Sequence, residues 1–346
     1  MFVPVVDVKQ KPLMPTTSSR ARRWIRSGKA TPFWKRGMFC IRLNVEPSSR
    51  ELQDVSVGID PGSKREGFTV GSEAHQYLNL HTEAVQHVKD AVKTRREMRR
   101  GRRERNTPCR ANRRNRSVGR IPPSTRARWG WKLRISAWLS KVFPISAFVV
   151  EDISAHTHGG RRWNLSFSPL QVGKKWFYTE LRKISPVFTK KGWETKDLRS
   201  GAGFKKSSRK LAEIFEAHCV DSYVLMRAYF GNYPPPENKQ LLVVSPLRFH
   251  RRQLHRLQPA VGGVRKPYGG TRSLGFKRGS LVRHPKYGVC FIGGASTGRI
   301  SLHSLSTGAR LCQNAKSEDI TFLAFNSWRT RLLPMRKCRG IRRARI

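Results

Sequence analysis

Residues 55–70 read VSVGIDPGSKREGFTV, and this stretch decides the fold. VSVGID alternates apolar residues with small or polar ones and stops at Asp60, the pattern of a strand. PGSKREG is turn chemistry. GFTVGSE and HQYLNLHTE then predict two more strands, so a three-stranded meander is the simplest reading. Further on, Trp131, Ile135, Trp138, Leu139 and Val142 recur at helical spacing and predict a helix packed on a sheet. AFVV (147–150) is a short buried strand ending in Glu151-Asp152. Leu211, Ile214, Phe215, Cys219 and Ser222 mark a second amphipathic helix.

The chain has 346 residues, with 70 Lys and Arg against 22 Asp and Glu, a formal charge of +48. Acids are scarce, so their places carry information. Asp60 ends one apolar strand and Glu151 another. Asp221 follows His218 by three positions, and such positions share a helix face. Taken singly, each has a plain structural reading: Asp60 opens an Asp-Pro-Gly turn, Glu151-Asp152 caps the next segment, and His218 is a satisfied core histidine. Together they meet one chemical need. Metal-assisted phosphodiester hydrolysis needs several carboxylates converging from separate segments, because Mg²⁺ takes hard oxygen ligands. Two ions about 4 Å apart can then clamp the attacking and leaving oxygens. The order meander, helix, strand, helix is that of an RNase H-like α/β layer, a mixed sheet split across the sequence.

The motifs carry a resemblance. VGIDPGSKREGFTV, FVVEDI and AHCVDSYVL resemble the three RuvC motifs in order, and KPLMP resembles the signature of the PLMP domain in the IscB and IsrB family of insertion sequences. The Arg-rich stretch lies where those proteins and the type II CRISPR effector nucleases carry a bridge helix. The resemblance covers residues 1 to roughly 230. It implies a PLMP domain of α+β type over 1–52, RuvC parts at 53–86, 123–210 and 211–236, and an Arg-rich bridge helix and basic linker over 87–122. A β-rich domain facing a target-adjacent motif, with a basic tail, would fill 237–346. It implies that Asp60, Glu151 and Asp221 hold two Mg²⁺ ions (Mn²⁺ can substitute), that His218 orients or deprotonates the attacking water, and that Asp152 is structural. The interval 152–210 has only His156 and His158 as histidines, both at its start, and no HNH pattern. One hydrolytic site implies a nickase, as in IsrB, acting on the displaced non-target strand.

The charge demands a polyanion, because counterion release favours nucleic acid as partner. From Arg95 to Arg120 there are twelve arginines and hardly any apolar positions. Arg95, Arg96, Arg99, Arg100, Arg102 and Arg103 are the candidate backbone contacts on a helix that a polyanion would steady. Arg265, Lys266, Arg272 and Lys277 are candidate base readers, although most cations contact phosphates. A chain this small cannot wrap a heteroduplex alone, so a large non-coding guide RNA is expected as scaffold, with duplex DNA as target and the protein as a monomer in a ribonucleoprotein. Two other readings stay open on charge and acids: a junction-type RuvC nuclease without a guide, and a non-catalytic RNA-binding protein. The six cysteines form no CxxC pair and read as reduced thiols. No apolar run has the length of a membrane span, and MFVPVVDVKQKPLMP lacks a leader's basic start and apolar core, so a cytoplasmic, prokaryotic, nucleoid-associated protein is expected.

Overall fold

Alternating apolar residues near the N-terminus build a first small sheet in the computed structural model. It describes residues 2–104, 120–154, 169–246, 257–258, 263–264, 272–324 and 328–333. Strands β1 (Phe2–Val6), β2 (Pro12–Thr17), β3 (Ala30–Lys35) and β4 (Met38–Leu43) lie in the order β2-β1-β4-β3, with helix α1 (Ser18–Arg26) between β2 and β3 in sequence. Val3, Val5, Leu13, Ala21, Ile41 and Leu43 form its core. Asp7 and Gln10 make the turn after β1, with Gln10 at φ 64°, and PLMPTT is a strand paired with β1. Its prolines are tolerated because β2 is an edge strand, where a missing N–H costs no ladder bond. Thr17 caps α1, its side chain accepting from the Arg20 N–H, as its sequence position predicts.

The central layer uses β5 (Val55–Asp60), β6 (Arg65–Ser72) and β7 (Gln76–Glu83), an antiparallel meander as predicted. Then come α2 (His87–Glu104), α3 (Pro123–Leu139), β8 (Ala147–Asp152), α4 (Lys174–Arg182), β9 (Val187–Lys191), α5 (Gly192–Gly201), α6 (Val220–Arg227) and β10 (Leu241–Pro246). Two-residue pairings follow: β11 (Leu257–Gln258) with β12 (Gly263–Val264), and β13 (Arg272–Ser273) with β14 (Phe276–Lys277). Strands β15 (Leu281–His284), β16 (Gly288–Ser296), β17 (Arg299–Ser304), β18 (Arg310–Ala315) and β19 (Thr321–Ala324) form an antiparallel sheet in the order β18-β17-β16-β15-β19. Strand β20 (Trp328–Leu332) then returns to the central sheet, whose order is β20-β10-β7-β6-β5-β8-β9. β8 runs parallel to β5, and β9 to β8. This mixed layer is consistent with an RNase H-like fold. The strands β10 and β20, which flank this five-stranded sheet in sequence, belong to the central sheet.

Strand periodicity sorts the faces of β5. Val55, Val57 and Ile59 point into one core with Trp129, Trp131, Ile135, Trp138 and Leu139 of α3. Ser56, Gly58 and Asp60 point the other way. On that face Ser56 donates to the Met226 carbonyl at 2.8 Å, and Gly58 lies directly against α6. Pro123 opens α3 in the first turn, where its missing N–H costs nothing. Trp328 stacks edge-on against Trp131 and Trp138, so β20 is locked into the α3 core. Truncating such a buried Trp to Ala costs about 3–5 kcal/mol.

The Arg-rich helix begins at His87, past the end of β7 at Glu83. The second amphipathic helix begins later than Leu211, which is exposed; Ile214 is extended, and a wide π turn, Phe215–Cys219, leads into α6. Between β8 and the π turn the chain also holds α4, β9 and α5. Among the described residues, no helix is long and apolar enough to cross a membrane.

Candidate active site

The same dyad rule that buries Ile59 turns Asp60 toward α6. Strand β8 repeats it: Phe148 and Val150 join the α3 core, so Glu151 shares the face of Asp60. Ile59 pairs with Val150, so Asp60 and Glu151 stand side by side, one residue further on. Gly62 closes the turn after Asp60, its N–H donating to the Asp60 carbonyl at 3.1 Å, and a Cβ there would strike the Arg65 carbonyl. The π turn and the first turn of α6 bring His218 and Asp221 to the same end of the sheet. π turns of this kind occur frequently at functional sites. The structure therefore gathers Asp60, Glu151, His218 and Asp221 from four separate elements.

Charge is tightly organised here. The His218 Nδ1 is 2.9 Å from Asp60 Oδ2, and its Nε2 is 2.9 Å from the Lys210 carbonyl. Both partners present acceptor oxygens, so this geometry favours the imidazolium form of His218, with both ring nitrogens donating. Burial alone would lower its pKa, but the hydrogen bond and charge of Asp60 outweigh it and hold it above the ordinary value. Burial likewise works to raise the Asp60 carboxyl, but the His218 hydrogen bond and the Lys206 charge bring it below the usual carboxylate range. Glu151 goes the other way: burial, then the charges of Asp60 and Asp221, push it up to about 8. Near neutral pH it keeps its proton and shares it with Asp60. Asp221 is almost wholly buried, and both its oxygens are taken, Oδ1 by Arg199 and Oδ2 by Lys206.

Asp60, Glu151 and Asp221 bring oxygen donors to one end of the sheet, a chemistry that suits a hard divalent cation such as Mg²⁺. Burial raises Glu151 most, and the charges of Asp60 and Asp221 add a repulsion that a cation would relieve. Among the described residues, no three His, Cys, Asp or Glu side chains already stand close enough to hold an ion. The donor chemistry fits, while Lys206 and Arg199 occupy Asp221.

Sequence reasoning missed five contributors. Lys206 and Arg199 are two cations among seventy, with nothing in their spacing to single them out. His81, on β7, is fully buried beneath His218, with ring centroids 5.7 Å apart and, among the described residues, no hydrogen-bond partner on either nitrogen. Burial and the His218 charge push it down to about 3, so it is neutral. Glu66 and Lys132 form a fully buried ion pair at 2.8 Å that ties β6 to α3 behind the Asp60 turn. Burial outweighs their mutual attraction, raising the Glu66 carboxyl and lowering the Lys132 amine. Asp152 sits apart, held by Lys174 at 2.8 Å and by the Tyr178 hydroxyl at 2.9 Å.

The expected nucleic-acid contacts lie elsewhere on the surface. Arg95, Arg96, Arg99 and Arg100 are exposed along α2, and Arg102 and Arg103 fall in the same helix. Arg272 and Lys277 face each other across the β13–β14 pair, both exposed. Arg265, Lys266, His156 and His158 lie outside the described residues.

Residues 3–162 match a family model described as RRXRR protein. Within that span the chain reads RRGRR at Arg99–Arg103. No curated protein matches the chain. Among solved structures, the chain is similar to Thermus thermophilus RuvC in complex with a Holliday junction substrate: 14% identity, TM-score 0.29, over 52% of this chain and 97% of that one. A second Thermus thermophilus RuvC structure matches at 14% identity and TM-score 0.27, over 51% of this chain and 96% of that one.

Proposed function

We propose that this chain is an RNA-guided, metal-dependent DNA endonuclease of the IsrB kind, which nicks the displaced strand of a guide-paired target. One observation carries the reading: Asp60, Glu151 and Asp221 converge from β5, β8 and α6 around an imidazolium. Glu151 is pushed up to about 8 by burial and then by the charges of Asp60 and Asp221, and carboxyls perturbed in this way cluster at functional sites. The RRXRR family is found in IscB-related nucleases, which supports the same class. An absent HNH pattern over 152–210 supports one cut rather than two. The +48 charge and the exposed arginine row of α2 supply a surface for RNA and DNA backbones.

Asp60, Glu151 and Asp221 would hold the divalent ions, two Mg²⁺ or Mn²⁺. Bound there, such ions supply an activated water and charge neutralisation at the phosphodiester. The chain's own residues do the rest. His218 holds Asp60 through Oδ2 and so fixes the direction of its carboxylate beside Glu151. With both nitrogens donating, His218 is arranged as a cationic positioner and not as a base. Glu151 is the proton holder: loading an ion must release its proton. The rim cations Lys206 and Arg199 add positive charge where a phosphate would approach. Such a role for a chain this size requires an RNA that supplies the target reading by base pairing.

The test is direct. The chain is co-expressed with its neighbouring non-coding locus, the bound RNA is sequenced, and its guide is reprogrammed against a supercoiled plasmid library bearing variable flanks. Open circles that need guide, Mg²⁺ and Asp60, and that vanish in Asp60→Ala, are the expected result. Cleavage of junctions without any RNA would favour a guide-free nuclease, and guide-dependent binding with no cut would reduce the chain to a targeting protein.

A further inference from the structure

Lys206 and Arg199 are not loose surface cations. Arg199 lies near the end of α5, and Lys206 in the coil that follows. That coil is pinned on both sides of Lys206. Phe204 packs edge-on against Tyr223 of α6. Ser207 N–H donates to the Glu216 carbonyl at 2.8 Å, and the Lys210 carbonyl accepts from His218. Glu213 pairs with Arg331 on β20, which fastens the far end. The Lys206 ammonium is therefore delivered to Asp221 Oδ2, while Arg199 takes Oδ1. Asp221 is left with 3% of its side chain exposed, against 15% for Arg199 and 32% for Lys206.

We infer that Lys206 and Arg199 are resident cations that compete with a divalent ion for Asp221, and so set the ion affinity of the site. This rests on the nuclease reading above. The argument is one of geometry and charge. A carboxylate with both oxygens engaged by cations can ligate an ion only if at least one partner withdraws. A fixed positive charge a few ångströms from a divalent ion also opposes it, and in a buried site that opposition is poorly screened. Lys206 is the partner able to leave, because its side chain is one-third exposed and flexible, whereas Arg199 is mostly enclosed. A purely structural pair predicts the opposite sign, since removing it would loosen Asp221 and weaken ion binding.

The experiment is a Mn²⁺ titration of the full-length chain, stripped of nucleic acid in high salt, followed by the free-ion electron paramagnetic resonance signal. Lys206→Met keeps the aliphatic stem and removes the charge. It should bind Mn²⁺ at least tenfold more tightly than wild type, and Arg199→Met should shift the same way. Lys206→Arg, which keeps the charge, should stay near wild type and excludes a packing artefact. Equal or weaker binding in Lys206→Met, or tightening by Lys206→Arg as large as by Lys206→Met, overturns the inference while leaving the nuclease reading in place. No Mn²⁺ binding by any of these proteins overturns both.

Discussion

Replacing Gly58 by Ala tests how the site is positioned. A Cβ built on Gly58 would stand 1.9 Å from the Ser222 carbonyl oxygen and 2.5 Å from the Met226 nitrogen. Ordinary contact begins near 3.4 Å, so the strand and α6 must separate by 3.4 − 1.9 = 1.5 Å. Both neighbours are backbone, so no rotamer change relieves the clash. Overpacking of this kind costs roughly 1–3 kcal/mol, and a rigid contact places Gly58→Ala toward the upper end. The small gain from a less flexible unfolded chain, about 0.4–1 kcal/mol, does not offset it. The same displacement carries Asp221 and His218 away from Asp60, and a 1 Å misplacement of reacting groups can cost about 100-fold in rate. The expected result is a lower urea midpoint together with a roughly 100-fold loss of guided nicking, while guide RNA binding by α2 is retained. Gly101→Ala, in α2 with open space around its Cβ, is the control and should not lower the midpoint. A Gly58→Ala protein that unfolds and nicks like wild type would refute the claim that a bare strand face lets α6 place the acids.

Glu151 makes stability depend on pH. Its folded-state carboxyl is raised to about 8 from an ordinary 4.5, so between those values the folded chain holds a proton that the unfolded chain releases. Stability of the chain in EDTA should therefore fall as pH rises through that window. His218, whose folded pKa is also raised, adds to the fall above about 6.5. His81, held neutral with its pKa down at about 3, opposes the fall below about 6.5, so melting curves from pH 6.5 to 8 check this; Glu151→Gln should reduce the downward slope, and a rising slope there would contradict the assignment. Lys132→Met leaves Glu66 buried without its partner and should cost about 3–5 kcal/mol in a denaturant titration. The double variant Glu66→Leu with Lys132→Met should recover most of that loss, because an apolar pair restores a matched interior. Changing Arg95, Arg96, Arg99 and Arg100 to Ala together should weaken guide RNA binding and flatten its dependence on salt, by about one unit of log–log slope per lost phosphate contact. An unchanged slope would move the RNA surface off α2.

Most of the central layer was legible because its residues obey short-range rules. The period-2 pattern of 55–60 gave both the strand and the face that carries Asp60. The 3.6-residue spacing of Trp131, Ile135 and Trp138 gave α3. What stayed hidden depends on distant partners. PLMPTT is a strand only because β1 pairs with one side of it and its other edge is open, and prolines argue against a strand when that edge is unknown. β20 returns to the central sheet after the whole C-terminal sheet has intervened, and no local spacing records such a pairing. The expected helix around Leu211 failed because an i, i+3, i+4 pattern does not show where a π turn resets the phase.

The site shows the same division. Asp60, Glu151 and Asp221 stand out because an acid is rare in this chain, and each follows an apolar element that fixes its direction. Lys206 and Arg199 are illegible for the inverse reason, since in a chain with seventy Lys and Arg a single cation conveys nothing until a fold brings it to a buried acid. His81 is illegible for a third reason: it lies within an ordinary strand, and only the packing of the π turn above it puts a neutral ring under the His218 imidazolium. These three cases share a cause. Asp60 has little freedom of its own, because Ile59 is committed to the α3 core and Pro61-Gly62 to the turn, so the partners must come to it. The approach of α6 across Gly58 and Gly67 is what brings them. Bare glycine positions on β5 and β6 are therefore as much a part of the site as the acids, and a survey restricted to ionisable residues would overlook them.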